Sequence, residues 1–137
     1  MMGPELAFNQ IPGGASNAQT SIGMLYSEGV ASGRISLRRF VELTSSNPAR
    51  LFGMWPQKGS LSVGSDADVM LIDPNRTFTV VTDEMQSRGD LDPYDGWEGT
   101  GWPVLTMARG EVIVRDDRMC AEPGRGRFLA RSRHQAL

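Results

Sequence analysis

His134 is the only histidine in the 137 residues and Cys120 the only cysteine, so imidazole and thiolate chemistry each have one side chain to draw on. A protein-bound zinc ion takes several such ligands at once. His134 lies three residues from the C-terminus among arginines, where chain ends fray, and it is expected to take no part. Cys120 has no flanking histidine and is expected to pack or stay idle. Asp66 and Asp68 stand beside Gly64 and Ser65, a pattern in which carboxylates bond backbone amides of a turn, and turn chemistry is the expectation. Asp83, Glu84, Asp90, Asp92, Asp95 and Glu98 crowd one stretch, but without the spacing or closing glutamate of a calcium loop they read as a solvated loop. Trp55, Trp97 and Trp102 are expected to anchor a core or an interface.

The elements that would position these residues change character along the chain. Residues 1–20 are rich in Gly, Asn, Ser and Pro, and 11–17 reads as a loop. Ser21 is the expected N-cap of a helix reaching about Val30, with Ile22, Leu25, Tyr26 and Val30 on one face, and Gly33 ends it. Ser36 caps a second helix carrying Leu37, Phe40, Val41 and Thr44 at helical spacing. Asn47-Pro48 is expected to restart a short helix, with Asn at N-cap, Pro at N1 and Gly53 as its C′ residue.

From Lys58 the period shifts from 3.6 to 2. Residues 60–63 are expected to form a short strand and 64–67 a turn. Residues 68–73 are expected to form the most buried strand of this part, ending at Pro74. A further strand over 76–81 and a long polar loop over 82–101 follow. A hairpin of 103–108 and 111–115 then crosses Arg109-Gly110 and is closed by Asp116-Asp117, before a basic, irregular tail.

Composition sets outer bounds. Fourteen Lys and Arg against sixteen Asp and Glu leave a formal charge of −2, so there is no electrostatic case for nucleic acid or an anionic membrane surface. Lys58 is the sole lysine, and the arginine excess reads as a genomic composition bias. No run approaches the ~18 apolar residues of a membrane span. The first ten residues lack a secretory pattern, and a lone cysteine cannot form an internal disulfide; the cytoplasm is the expected compartment.

Two groups of residues together carry a family resemblance. Asn47-Pro48-Ala49-Arg50-Leu51-Phe52-Gly53, followed by Lys58-Gly59-Ser60-Leu61-Ser62-Val63-Gly64-Ser65-Asp66-Ala67-Asp68-Val69, looks like the segment where metal-dependent amidohydrolases pass from catalytic barrel to small β-sandwich. Tyr26-Ser27-Glu28-Gly29-Val30, Gly33-Arg34-Ile35-Ser36-Leu37, Phe40-Val41-Glu42-Leu43-Thr44, Gly101-Trp102-Pro103 and Pro123-Gly124-Arg125-Gly126-Arg127-Phe128-Leu129 narrow it. In order and spacing, from about Ile11 to about Arg131, the chain resembles the C-terminal part of dihydropyrimidinases and D-hydantoinases. Allantoinases and dihydroorotases share the first group, but the closing Pro-Gly-Arg-Gly-Arg-Phe run favours the hydantoinase side.

The resemblance implies an α+β fragment: the last helices of a TIM-like (β/α)8 barrel over 1–57, a partial β-sandwich over 58–122 and a tail over 123–137. It implies hydrolytic opening of a cyclic amide such as a dihydropyrimidine or hydantoin. Two divalent metals, usually zinc, would supply hydroxide and polarise the carbonyl, with an aspartate as general base and acid. The ligands in that family are histidines, a carboxylated lysine and the aspartate. One histidine cannot build such a centre, so this chain is expected to hold no metal, no catalytic residue and no activity alone. Pro12, Gly13 and Gly14 fall where the family's loop holds the substrate ring through backbone groups, with Gly13 standing where Asn is usual. The expected partners are a small cyclic amide and either further copies or a complementing upstream half. A non-catalytic scaffold of the same fold, like the vertebrate collapsin-response relatives, and an allantoinase- or dihydroorotase-like fragment stand as alternatives.

Overall fold

The computed structural model describes residues 17–86 and 92–133. Helices come first, and a four-stranded antiparallel sheet of order β1-β2-β3-β4 follows.

Helix α1 spans Ser21–Leu25 and widens into a π-type turn over Tyr26–Ala31. The chain is already turning from Asn17, whose carbonyl accepts from Ser21 N at 3.1 Å. Ser21 is therefore inside the helix, and Thr20 occupies the cap position without a side-chain capping bond. Helix α2, Leu37–Val41, starts as expected: the Ser36 hydroxyl accepts from Arg39 N at 3.1 Å.

A second π-type turn, Glu42–Ser46, joins α2 directly to α3, Asn47–Leu51. Asn47 is helical and caps nothing, so the expected restart is a continuous run. The wide turn lies just before Pro48, where the missing N–H and the ring would otherwise break a regular helix. Gly53 closes α3 with φ at 67°.

Residues 60–63 form no strand. Ser62 N donates to Ser60 Oγ at 3.1 Å, a local serine turn that competes with extended pairing, and Leu61 and Val63 stand in solvent. Strand β1, Val69–Thr79, merges the two expected strands and runs through Pro74. Proline is admissible because β1 is an edge strand and Pro74 lies in an irregularity of register between Asp73 and Thr77. Its first half is not the buried centre that its apolar run suggested, since Leu71 is 51% exposed. The described core is instead Met24, Phe40, Ala49, Val80 and Trp102.

Strand β2, Glu98–Ala108, begins inside the expected polar loop and pairs β1 along most of its length. The hairpin to β3, Glu111–Arg115, turns at Arg109 and Gly110, both with positive φ as a tight two-residue loop requires. Asp116 and Asp117 repeat that geometry and lead into β4, Arg118–Met119.

Candidate functional site

Helix α1 is held to β2 through places where side chains are absent. A Cβ at Gly23 would meet the Trp102 ring at 2.4 Å, and one at Gly101 would meet the Tyr26 ring at 2.0 Å. Thr100 N also donates to Ser27 Oγ at 3.1 Å. Helix α1 is thereby fixed against β2. Thr20 is fully buried; its hydroxyl donates to the Asn17 carbonyl at 3.1 Å and reaches Asp92 Oδ2 at 3.4 Å.

Asp92 is the buried carboxylate of the described residues and also accepts from Tyr94 N at 2.9 Å. It was expected to be one solvated acid among several. Its signal was the following Pro93, since an Asp-Pro step starts an Asx turn that ties its carboxylate inward. Pro12, Gly13 and Gly14, the proposed ring-binding backbone, lie outside the described residues, as do Asp90 and His134.

Lys58, Asp66 and Asp68 do come together. Lys58 Nζ lies 2.7 Å from Asp66 Oδ2 and 2.5 Å from Asp68 Oδ2. Asp68 Oδ1 accepts from Arg109 N at 2.8 Å, and Gly110 N donates to the Ala67 carbonyl at 3.0 Å. The cluster is a clasp between the loop after α3 and the β2–β3 hairpin, as turn chemistry requires. Burial pulls the Lys58 pKa down, but the two carboxylates outweigh it and hold it above the ordinary lysine value. Burial pushes the Asp68 carboxyl up, and Lys58 with the Arg109 amide outweighs this to hold it below the usual range. Lys58 Nζ, both Asp68 carboxylate oxygens and the Arg109 amide thus find partners within the chain, as a structural clasp does.

A second network ties the tail. Arg125 Nη2 lies 2.8 Å from Glu111 Oε2 and donates to the Ala108 carbonyl at 2.8 Å, while Arg109 Nη2 donates to the Arg125 carbonyl at 2.6 Å. Further on, Ser132 N donates to the Gly53 carbonyl at 2.8 Å. Trp102 donates through Nε1 to Asp117 Oδ1 at 2.7 Å, and Arg76 pairs with the same carboxylate. Trp102 is a core anchor, whereas Trp97 is 43% exposed and stacks edge-on with Tyr94. Trp55 lies against the Arg50 guanidinium, 4.0 Å from its ring centroid. Cys120 is exposed.

Among the described residues, no group of three or more His, Cys, Asp or Glu could hold a metal ion. With one histidine in the whole sequence, the residues present do not fit a two-metal centre built on imidazoles. No described helix is long and apolar enough to cross a membrane.

The comparisons with known proteins agree with this geometry. The model of the amidohydrolase family matches residues 6–113. The D-phenylhydantoinase of Escherichia coli O1:K1 / APEC is 46% identical over 124 residues, covering 90% of this chain and 27% of that protein. The solved D-hydantoinase of Bacillus sp. AR9 superposes with a TM-score of 0.88 at 38% identity, over 94% of this chain and 28% of that one. The dihydropyrimidinase of Brevibacillus agri NCHU1002 gives 0.81 at 39% identity, over 85% and 25%. This chain thus spans about a quarter of the length of the curated relatives it matches. A family model matched over most of the sequence, with both identity and fold pointing to one branch, places the chain in the amidohydrolase family, on its dihydropyrimidinase and hydantoinase side.

Proposed function

We propose that this chain is the C-terminal part of a dihydropyrimidinase- or hydantoinase-type enzyme, and that the assembled enzyme hydrolyses a C–N bond of a cyclic amide. The observation that carries this reading is the TM-score of 0.88 to a D-hydantoinase over 94% of the chain. In it, residues 1–57 are the last helices of the barrel, 58–122 part of the β-sandwich and 123–137 the tail. The backbone of Pro12, Gly13 and Gly14 contacts the ring. The metals, zinc in this reading, and their ligands belong to the remainder of the enzyme, because the residues here do not fit them. The chain works in the cytoplasm as part of an oligomer or with a complementing upstream half, and binds neither nucleic acid nor membrane.

The test compares the purified chain with the chain co-expressed beside the rest of a hydantoinase. Alone it should hold no stoichiometric zinc and leave hydantoin and dihydrouracil unopened. Two tightly held zinc ions per isolated chain, with turnover, would sink the reading. Assembly without turnover would favour a scaffold of the same fold.

A further inference from the structure

Charge is unevenly spread along the chain. The whole sequence carries a formal charge of −2, yet residues 123–137 hold four arginines and no acidic residue. Pro123-Gly124 forms the turn that opens this stretch, with Gly124 at a φ of 84°. The residues after the turn lie against the β2–β3 hairpin. There Arg109, Glu111, Gly124, Arg125, Gly126 and Arg127 line a concavity of about 420 Å3. Three guanidinium groups and one carboxylate leave two positive charges unmatched within it.

These arginines are held in place but not fully used. Arg125 donates through Nε and Nη2 to Glu111 Oε2, at 3.0 and 2.8 Å, and through Nη2 to the Ala108 carbonyl at 2.8 Å. Arg109 Nη2 donates to the Arg125 carbonyl at 2.6 Å. Among the described residues, none accepts from Arg125 Nη1, from Arg109 Nε or Nη1, or from the Arg127 guanidinium. Nor does any described residue accept from the backbone amides of 124–127. The backbone is also bare at Gly126, where a Cβ would meet nothing within 4 Å.

We infer that this concavity binds a small, doubly charged oxyanion of the phosphate class. A dianion balances the two unmatched charges, and forked guanidinium donors suit an ion with several acceptor oxygens. A monocarboxylate fits less well, because Glu111 already occupies the Arg125 fork and one positive charge would remain. The bonds that tie the tail fix Arg109 and Arg125 beforehand, so binding costs little side-chain freedom. The inference does not depend on the catalytic reading.

The probe is inorganic phosphate, titrated into the full isotope-labelled chain in mildly alkaline buffer, where phosphate is a dianion, against sodium chloride at matched ionic strength. Amide resonances at 109–111 and 124–127 should shift saturably, and acetate should give no saturable shift there. Arg109→Gln and Arg127→Gln, checked for native circular dichroism, should each weaken binding at least about fivefold. Arg34→Gln, at an exposed arginine between α1 and α2, should change it less than about twofold. Glu111→Gln should tighten binding at least about threefold, because it removes the carboxylate that shares the concavity and frees the Arg125 fork. Simple loosening of the tail would do the opposite. Phenyl phosphate in the same titration separates two sources: tighter binding than phosphate assigns the end of a phosphorylated molecule, weaker binding the free ion, and either supports the site. Absence of saturable shifts, an equal response to acetate, an equal loss with Arg34→Gln, or weaker binding with Glu111→Gln would overturn the inference.

Discussion

At the scale of single residues, the contact between α1 and β2 depends on what Gly23 and Gly101 lack. Gly101 combines a φ of 93° with a Tyr26 ring 2.0 Å from where a Cβ would be, so Gly101→Ala meets backbone strain and a clash together. It should lower stability by more than ~2 kcal/mol in urea unfolding. Gly23→Ala, with only the Trp102 clash, should cost about 1–3 kcal/mol. If both variants unfold like the parent, the helix is not seated on those rings. Leu71→Asp goes the other way. In the buried strand that its apolar run implies, a charge here would abolish folding, but at 51% exposure the new charge stays hydrated, and the isolated chain should lose under ~1 kcal/mol. Sequence patterns showed which residues are small, apolar or acidic. They did not show which small residue meets which ring, because that depends on partners some eighty positions away in the chain.

At the scale of elements, local chemistry was legible and pairing was less so. The Ser36 cap, Gly53 at the end of α3 and the Arg109-Gly110 hairpin all follow from short-range rules, and each appears. The two strands expected on either side of Pro74 fused because proline ends a central strand but not an edge strand, and edge position is a property of the sheet. The strand expected over 60–63 needs a partner that the described residues do not supply, so serine turns took its place. The Lys58 clasp tests how these elements are joined. Asp68 has its pKa lowered from 3.8, so its contribution is present above that value and fades as pH falls through the lowered one. Lys58 has its pKa raised from 10.5, so its contribution is present below that value and fades as pH rises through the raised one. Lys58→Met should therefore cost about 1 kcal/mol near neutral pH, and the gap from the parent should shrink on strong acidification and in strong alkali. Urea midpoints at pH 7, 3 and 11 measure it. A gap unchanged at pH 3 would assign the loss to packing of the lysine stem.

For the whole molecule, the helices and sheet are joined more closely than a barrel remnant beside a sandwich remnant implies: α1 is keyed into β2 by Trp102, Tyr26 and Phe78, and Ser132 bonds back to the end of α3. The described residues therefore have a core, though a small one: five apolar residues among them are buried while Leu37, Val41, Leu51, Phe52, Leu61 and Phe128 are half or more exposed. Apolar surface on that scale, beside an eleven-residue strand at the edge of the described sheet, exceeds what a monomer usually leaves in water. The isolated chain should accordingly self-associate as concentration rises. Analytical ultracentrifugation across a concentration series measures this directly. Co-expression with the remaining three-quarters of a hydantoinase should collapse the distribution to a single complex. A compact monomer that unfolds cooperatively at high concentration would mean that the small core suffices. In that case the exposed apolar residues would be a surface the protein tolerates, and assembly with the rest of a hydantoinase would lose its physical driving force.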